Sequence, residues 1–192
     1  MSGDHSSFKP IVAAVVAIVM FSLPWTVSAQ GAEAGDEPAL LAALAGADDA
    51  AEAARIDRQL QALWSRSGSA AMDLLLQRGR DALEAEELDA AIEHLTALTD
   101  HAPEFAEGWH TRATAYFGIG LLGPALEDLE HALALNPNNY NAIFGLGTIF
   151  ETLGDERRAF EAYTRAASIH PFQDNIAEAL ERLRPSVQGK TL

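Results

Sequence analysis

The chain has 192 residues, with 13 Lys and Arg against 28 Asp and Glu, and it contains no cysteine. A net charge of −15 repels phosphate backbones and anionic lipid headgroups, which argues against a nucleic-acid or membrane-surface partner. Without cysteine, the chain can form no disulfide bond, thiolate metal site or cysteine-linked lipid anchor.

The first 29 residues predict a secretory signal peptide. A polar start with Lys9 is followed by the apolar run 11–21, and small residues lead to a cleavage site after Ala29. A spanning helix needs about 20 apolar residues, more than this run provides. Cleavage would place the mature chain in the periplasm or outside the cell. The alternative is that 11–27 stays uncleaved and anchors the chain in the inner membrane.

The segment that follows predicts a flexible link, 30–36, and then two N-terminal capping helices within 37–71. The first helix begins after Asp36 and ends before Gly46. The second carries an apolar stripe at helical spacing, formed by Ile56, Leu60, Leu63 and Trp64. Because end repeats need covering, we expect these helices to cap the array. The alternative is that the stripe folds into the groove of the chain's own repeats as a gate.

The next part of the chain repeats one pattern of small and large apolar residues three times, in the units 72–105, 106–139 and 140–173. The aligned positions of the second unit are Trp109, Tyr116, Ala125, Leu129, Ala132 and Pro137, and those of the third are Ile143, Phe150, Ala159, Tyr163, Ala166 and Pro171. Such a fixed period is typical of stacked helix–turn–helix units, each too small to bury its own apolar face.

Six repeat helices and one terminal helix follow from this pattern. The repeat helices are expected at about 72–86, 89–101, 106–120, 124–135, 140–153 and 156–169. A capping helix, 174–184, has an apolar face and a charged face, and a tail is expected over 185–192.

These residues resemble the tetratricopeptide repeat (TPR) family, whose two helices alternate small and large residues before a proline. The first unit departs from the family pattern, because Ala82 lies at an aromatic position and Leu98 at an alanine position. The exchange suggests volume compensation. The resemblance implies an all-α fold: a right-handed TPR superhelix of three helix-turn-helix repeats, with an N-terminal helical cap and a C-terminal capping helix.

No catalytic or metal-binding pattern accompanies the repeats. The histidines at 94, 101, 110, 131 and 170 include no pair three or four residues apart on one helix, the spacing that aims two ligands at one ion. No nucleophile–base arrangement is present in the sequence pattern. We therefore expect a non-enzymatic protein with no cofactor, no metal and no catalytic residue.

The resemblance implies that the first helix of each unit lines a concave groove. The candidate partner-contacting residues are Leu76, Arg80, Leu83, His110, Thr114, Phe117, Asn141, Phe144 and Thr148. Only Arg80 is basic, so the carboxylate clamp of some family members is not expected. An apolar floor with an acidic rim favours a protein or peptide segment that carries apolar anchors and basic flanks. The alternative for this floor is that the chain's own N-terminal helices cover part of it.

The sequence thus favours a protein–protein interaction adaptor or assembly factor in the bacterial cell envelope. The partner would be neither nucleic acid nor, after signal cleavage, membrane. One alternative is a structural protein that associates with itself as a homo-oligomer. Another is an accessory subunit of an envelope enzyme or transport complex.

Overall fold

The computed structural model describes residues 36–187 and residue 189; the predicted signal peptide 1–29, nearly all of 30–36 and half of the predicted tail lie outside the described residues. All regular structure in the described part is helical. The helices are α1 (Glu37–Ala45), α2 (Ala50–Trp64), α3 (Ala70–Glu84), α4 (Leu88–His101), α5 (Ala106–Gly118), α6 (Leu122–Leu135), α7 (Tyr140–Thr152), α8 (Glu156–Ile169) and α9 (Asp174–Val187). None of these helices is both long enough and apolar enough to cross a bilayer.

Three helix–turn–helix units, α3–α4, α5–α6 and α7–α8, stack in chain order, since α4 packs on α5 and α6 on α7. Each unit turns through one residue of positive φ at the same repeat position. Gly120 and Gly154 take φ values of 76° and 78°, whereas the first unit places Glu86 there at 60°. A side chain is disfavoured in this left-handed region, so the first turn carries backbone strain that the other two avoid.

Small residues let the two helices of a unit approach closely, as the pattern predicts. A Cβ on Gly79 would lie 2.5 Å from the Leu95 side chain, and one on Gly147 would overlap the ring of Tyr163. Leu95 and Tyr163 are both almost fully buried. The large residue of the second helix therefore fills the space that the glycine of the first helix leaves open.

The exchanged pair of the first unit lies in one hydrophobic cluster. Ala82 and Leu98 are 7% and 0% exposed, and both pack with Leu95 in the cluster that joins α3, α4 and α5. Leu98 also reaches α5, where a Cβ on Gly108 would lie 3.1 Å from its side chain. Leu98 of α4 thus supplies the volume that Ala82 leaves missing at the aromatic position, as volume compensation requires.

The terminal helix α9 packs its apolar face, with Ile176 and Leu183 buried, against the third unit. It ends at Val187, beyond the predicted end at Arg184, and it contains Pro185. The prediction that the tail begins at Pro185 is therefore wrong. Proline lacks the N–H that would bond the carbonyl four residues earlier, and its ring crowds that carbonyl, so Pro185 weakens the last turn of α9 without ending the helix.

The N-terminal helices α1 and α2, called here the N-terminal arm, reach the third unit instead of only covering the first. Trp64 of α2 lies against Tyr140 of α7, with ring centroids 5.4 Å apart, and α1 packs on α8. Leu44, Ile56 and Leu60 of the arm are fully or nearly fully buried in a cluster shared with α7, α8 and α9. The simple end-cap expectation is thus corrected, because the apolar stripe of α2 finds its partner surface on the third unit.

Candidate functional site

An open cavity of about 310 Å³ lies between α5 and α7, the first helices of the second and third units. Its lining residues, called here the central groove, are His110, Ala113, Thr114, Phe117, Leu129, Asn141, Phe144, Gly145, Thr148 and Ile149. Six of the nine residues proposed from the sequence are among them. The structure therefore brings the candidates of the second and third units together around one cavity.

Two phenylalanines supply the apolar surface of the central groove. Phe117 is 36% exposed, so its side chain is accessible to a partner. Phe144 is half-buried, because its ring stacks on Tyr163 with centroids 5.1 Å apart. Gly145 also lines the groove, and its lack of a side chain lets Leu129 pack closely against α7, since a Cβ there would lie 3.2 Å from Leu129. The floor is thus packed against the core on the Phe144 side and accessible on the Phe117 side.

The polar groups of the groove are one amide, two hydroxyls and the His110 imidazole. Thr114 Oγ1 donates to the His110 carbonyl at 3.3 Å, and Thr148 Oγ1 donates to the Phe144 carbonyl at 3.1 Å. Each hydroxyl oxygen keeps the capacity to accept a hydrogen bond. Asn141 Oδ1 accepts from Gln173 Nε2 at 3.1 Å, which fixes the orientation of the amide. These groups can bind the main chain of an extended segment alongside its apolar anchors.

The candidates of the first unit do not line this cavity. Leu76 is 2% exposed and belongs to the core between α3, α4 and α5, so it cannot form part of the floor. Leu83 is half-buried against the same core. Arg80 donates from its guanidinium to Glu107 at 2.5 Å and to Ser65 Oγ at 2.9 Å. The groove therefore spans the second and third units, one unit fewer than expected from the sequence.

Sequence reasoning missed four lining residues: Ala113, Leu129, Gly145 and Ile149. Of these, only Leu129 appears in the sequence pattern, as an aligned repeat position. The available signal was the Gly145-Leu146-Gly147 segment, because two glycines in one helix let neighbouring side chains approach on two faces. Gly147 accommodates Tyr163, and Gly145 accommodates Leu129 beside the groove.

Glu107, three residues before the lining residue His110, is a buried carboxylate with only 4% exposure. Arg80 pairs with it, His110 Nδ1 lies 3.4 Å from both of its oxygens, and Asn139 Nδ2 donates to it at 3.3 Å. Burial raises the pKa of Glu107, but the charges and hydrogen bonds of His110 and Arg80 outweigh burial, so its pKa is held below the ordinary value. The negative charge of Glu107 is therefore balanced by partners inside the protein.

Glu151, at the other end of the groove helices, is engaged in the same way. Arg182 of α9 donates to both of its oxygens, at 2.8 and 2.9 Å, and the Tyr163 hydroxyl donates at 2.9 Å. The hydrogen bonds from Arg182 lower the pKa of Glu151, and burial raises the pKa of Tyr163 to about 12. The acidic rim expected from Glu107 and Glu151 is therefore already paired inside the protein.

The Glu107 cluster predicts a loss of stability in acid. A lowered pKa in the folded state means that the contribution of Glu107 is present above the ordinary pKa of 4.5 and is lost as pH falls through the folded value. Near neutral pH we expect Glu107→Gln to reduce the free energy of unfolding by about 2 kcal/mol, since hydrogen bonds to a charged group are lost. Urea unfolding of both proteins between pH 7 and pH 3 measures this difference. It should shrink below pH 4.5; a difference that stays constant would contradict the assignment.

A second buried ion pair fastens α5 to its neighbours. Arg112 donates to both oxygens of Asp128 at 2.8 Å and to Thr99 Oγ1 at 2.8 Å, and its guanidinium lies 4.9 Å from the Trp109 ring centroid. The hydrogen bonds with Asp128 raise the pKa of Arg112. No sequence signal marks this pair, because the partners lie on different helices and each resembles an ordinary surface charge.

Within the described residues, no group of three His, Asp or Glu side chains is placed to hold a metal ion. His94, His101, His131 and His170 all lie outside the central groove, and only His110 lines it. The chemistry that the groove can offer is therefore apolar burial, hydrogen bonding and one imidazole.

Comparisons with known proteins agree with this fold. The tetratricopeptide repeat family model matches residues 106–139, the second unit. A TPR repeat-containing protein of Rhizobium etli is 29% identical over 141 residues, which cover 73% of this chain and 69% of that protein. Two solved structures are similar at lower identity: the first TPR of Spaghetti (RPAP3) bound to an HSP90 peptide, and the TPR2B domain of yeast Sti1 in its Hsp70 complex.

The first of these structures has a TM-score of 0.60 at 23% identity, and covers 63% of this chain and 96% of that one. The second has a TM-score of 0.57 at 19% identity, and covers 62% of this chain and 99% of that one. At these identities the likeness concerns the fold. The fold of this chain is that of a TPR solenoid, and the family model identifies one tetratricopeptide repeat in it, over the second unit.

Proposed function

We propose that this protein is a non-catalytic adaptor or assembly factor that binds a peptide segment of another protein in the central groove. The open apolar cavity between α5 and α7 carries the proposal. An exposed concave apolar surface with a few convergent polar groups is typical of a binding site. The RPAP3 and Sti1 domains of the same fold are themselves structures of complexes, one with an HSP90 peptide and one with Hsp70.

The size of the cavity limits what it can hold. At about 310 Å³ it lies at the small end of ligand sites, which span about 300–1,000 Å³. One large apolar side chain, or two moderate ones, would fill it beside Phe117. The partner is therefore an extended or helical segment with one or two apolar anchors. Because the groove is preformed, binding this segment costs the protein little conformational entropy.

Basic residues on either side of the anchor would gain from the charge of the whole protein. Glu107 and Glu151 are paired internally, so the attraction comes from the net charge of −15 rather than from a specific ion pair. Such attraction raises the association rate and weakens with salt. Arg80, the one basic residue among the candidates predicted from the sequence, is paired with Glu107. It is therefore not free to bind the terminal carboxylate of a partner.

The location of this activity follows from the N-terminal sequence. A cleaved signal 1–29 would deliver the adaptor to the periplasm, and an uncleaved 11–27 would tether it to the inner membrane. In either case the groove would meet envelope or secreted proteins. Mass spectrometry of the N-terminus of protein recovered from the envelope separates the two, because cleavage leaves Gln30 as the first residue.

A single charge in the groove should abolish binding. We expect Phe117→Glu to weaken the affinity for a captured partner peptide at least tenfold, about 1.4 kcal/mol, since the accessible anchor contact is replaced by a charge. The peptide is first identified by capture from envelope extract and mass spectrometry, and its Kd is then measured by calorimetry. An unchanged Kd for a folded Phe117→Glu protein would overturn the groove model.

The matched control is Leu153→Glu. Leu153 is 57% exposed and lies in the α7–α8 turn, outside the central groove, so this variant should bind as tightly as the natural protein. Phe144→Glu is a less specific probe, because its ring supports Tyr163 and the new charge would also disturb the core.

Self-association is a second candidate, favoured by exposed apolar side chains at two helix turns. Ile119 and Leu121 are 41% and 45% exposed in the α5–α6 turn, and Leu153 is exposed in the α7–α8 turn. Exposed apolar side chains of this kind can join two copies. Sedimentation that stays monomeric up to near-millimolar concentration eliminates this candidate.

A further inference from the structure

The N-terminal arm is held on the third unit by directional polar contacts as well as by apolar burial. Tyr140 donates its hydroxyl to Asp57 in a short hydrogen bond, and Gln61 Nε2 donates to the same hydroxyl at 2.9 Å. Tyr140 is fully buried, and burial, with the hydrogen bond to Asp57, raises its pKa, so the hydroxyl stays protonated. Trp64 stacks beside it and donates from Nε1 to Glu37 at 2.8 Å.

The surface that the arm occupies continues directly from the central groove. Tyr140 is one helical turn before Phe144 and is followed by Asn141, and both of these line the groove. Residues four apart on a helix share a face. The floor formed by Phe117 and Phe144 would therefore extend to Tyr140 if α2 were not seated there.

The arm is joined to the repeats by a short segment, 65–69. Within it Gly68 has a φ of 83°, a conformation open to glycine, and Ser67 is fixed by a 2.6 Å hydrogen bond to Asp73. His170, 6% exposed, packs its ring edge on Tyr140, and its Nδ1 has no hydrogen-bond partner in the described part of the chain. The arm therefore meets the repeats through a glycine turn, and among the described residues His170 Nδ1 contributes no hydrogen bond that holds it in place.

We infer that the face around Tyr140 is a second binding surface, specific for an amphipathic helix, and that α2 occupies it in cis as a competitor of such a helix. The seated segment defines the chemistry of the partner. It has apolar side chains four residues apart, as at Ile56, Leu60 and Trp64, and a carboxylate directly after the first, as at Asp57. A partner helix of this pattern displaces α2 and joins the Tyr140 face to the central groove. The inference goes beyond the proposed function, because this surface binds its helix whether or not the central groove holds a peptide.

The test uses the full chain with an arm that cannot dock. Ile56→Lys with Leu60→Lys places two charges at positions that are 2% and 0% exposed, which expels α2 from the surface. A fluorescent synthetic peptide of residues 36–66 is then added in trans. A tethered α2 competes at about millimolar effective concentration, so the natural chain should bind the peptide at least tenfold more weakly than the arm variant.

Two further variants locate the binding. Tyr140→Phe in the arm variant removes only the hydroxyl that contacts Asp57 and Gln61, and it should weaken peptide binding several-fold. Leu153→Glu in the arm variant should leave the affinity unchanged, because Leu153 is 57% exposed in the α7–α8 turn, at the far end of α7 from Tyr140. A folded arm variant that binds no better than the natural chain, or that loses as much binding through Leu153→Glu as through Tyr140→Phe, would overturn the inference.

Native-state hydrogen exchange tests the same idea without any substitution. Amides of α2 should exchange through an opening that leaves α5 and α6 protected. If α2 exchanges only as slowly as those helices, the arm is part of the cooperative fold and the inference fails. The natural chain could instead form a concentration-dependent dimer that the arm variant cannot form. The surface would then bind α2 of a second copy, and this result would also overturn the inference that it binds a helix of another protein.

Discussion

Replacing Arg112 by alanine is expected to lower the free energy of unfolding by about 3 to 5 kcal/mol, because it leaves Asp128 charged and unpaired in the interior. The two side chains are 12% and 6% exposed, and their paired hydrogen bonds are 2.8 Å long. Thr99 also loses its contact with the guanidinium. Denaturant unfolding followed by circular dichroism measures the loss.

Two controls accompany this prediction. Arg157→Ala removes an i,i+4 pair with Glu161 whose side chains are 81% and 63% exposed, and should change stability by less than about 0.5 kcal/mol. Arg112→Met combined with Asp128→Leu removes both charges, and should restore most of the stability because no uncompensated charge remains. If Arg112→Ala and Arg157→Ala proved equally mild, the buried pair would not stabilise the fold as described.

Leu98→Ala is expected to lower the free energy of unfolding by about 3 kcal/mol, within the range for fully buried leucines. Leu98 is 0% exposed and fills the space between α4 and α5 that Gly108 leaves open. Because Ala82 is already small, no neighbour in this cluster can replace the lost volume. The unfolding midpoint in urea, at an unchanged m-value, reports the change.

The volume exchange in the first unit makes this prediction more specific. Adding Ala82→Phe to Leu98→Ala restores the residue sizes of the other two units, and should recover at least about 1 kcal/mol. Leu135→Ala, at a position that is 38% exposed, serves as the control for removal of a leucine and should cost less than about 1 kcal/mol. A double variant no more stable than Leu98→Ala would contradict the compensation.

The repeat helices could be predicted from the sequence because each one carries its own period and its own stop. The predicted segment 156–169 coincides with α8, and the predicted 106–120 differs from α5 only at its last two residues. These features are local: a proline, a glycine with positive φ and a stripe of small residues fix each helix and its partner.

The position of the arm could not be predicted in this way. Its apolar stripe at Ile56, Leu60 and Trp64 shows that α2 must be covered, but contains no information on which surface covers it. The contact of Asp57 with Tyr140 joins residues 83 positions apart and depends on the curvature of the whole array. Neither the end cap nor the gate describes this placement fully, since α2 packs on the third unit and none of its residues lines the central groove.

Only part of the groove could be predicted from the sequence, because the repeat pattern positions some of its residues and not others. Phe117 and Phe144 belong to first helices whose register the repeat fixes, so their side chains could be placed on the concave face. Leu76 occupies the equivalent helix of the first unit, yet it is buried because the core between α3, α4 and α5 reaches it. Two partners of Glu107, Arg80 and Asn139, lie 27 and 32 residues away, and pairing at that separation leaves no mark on a single sequence.

Hydrogen-exchange mass spectrometry of the chain with and without its captured partner peptide tests the central claim most directly. Binding in the central groove should slow exchange in α5 and α7, where the lining residues lie, and leave the exposed α7–α8 turn unchanged. The Phe117→Glu protein should show neither effect at the same peptide concentration. Protection confined to the outer helices α6 and α8, with α5 and α7 unaffected, would contradict a partner-binding groove.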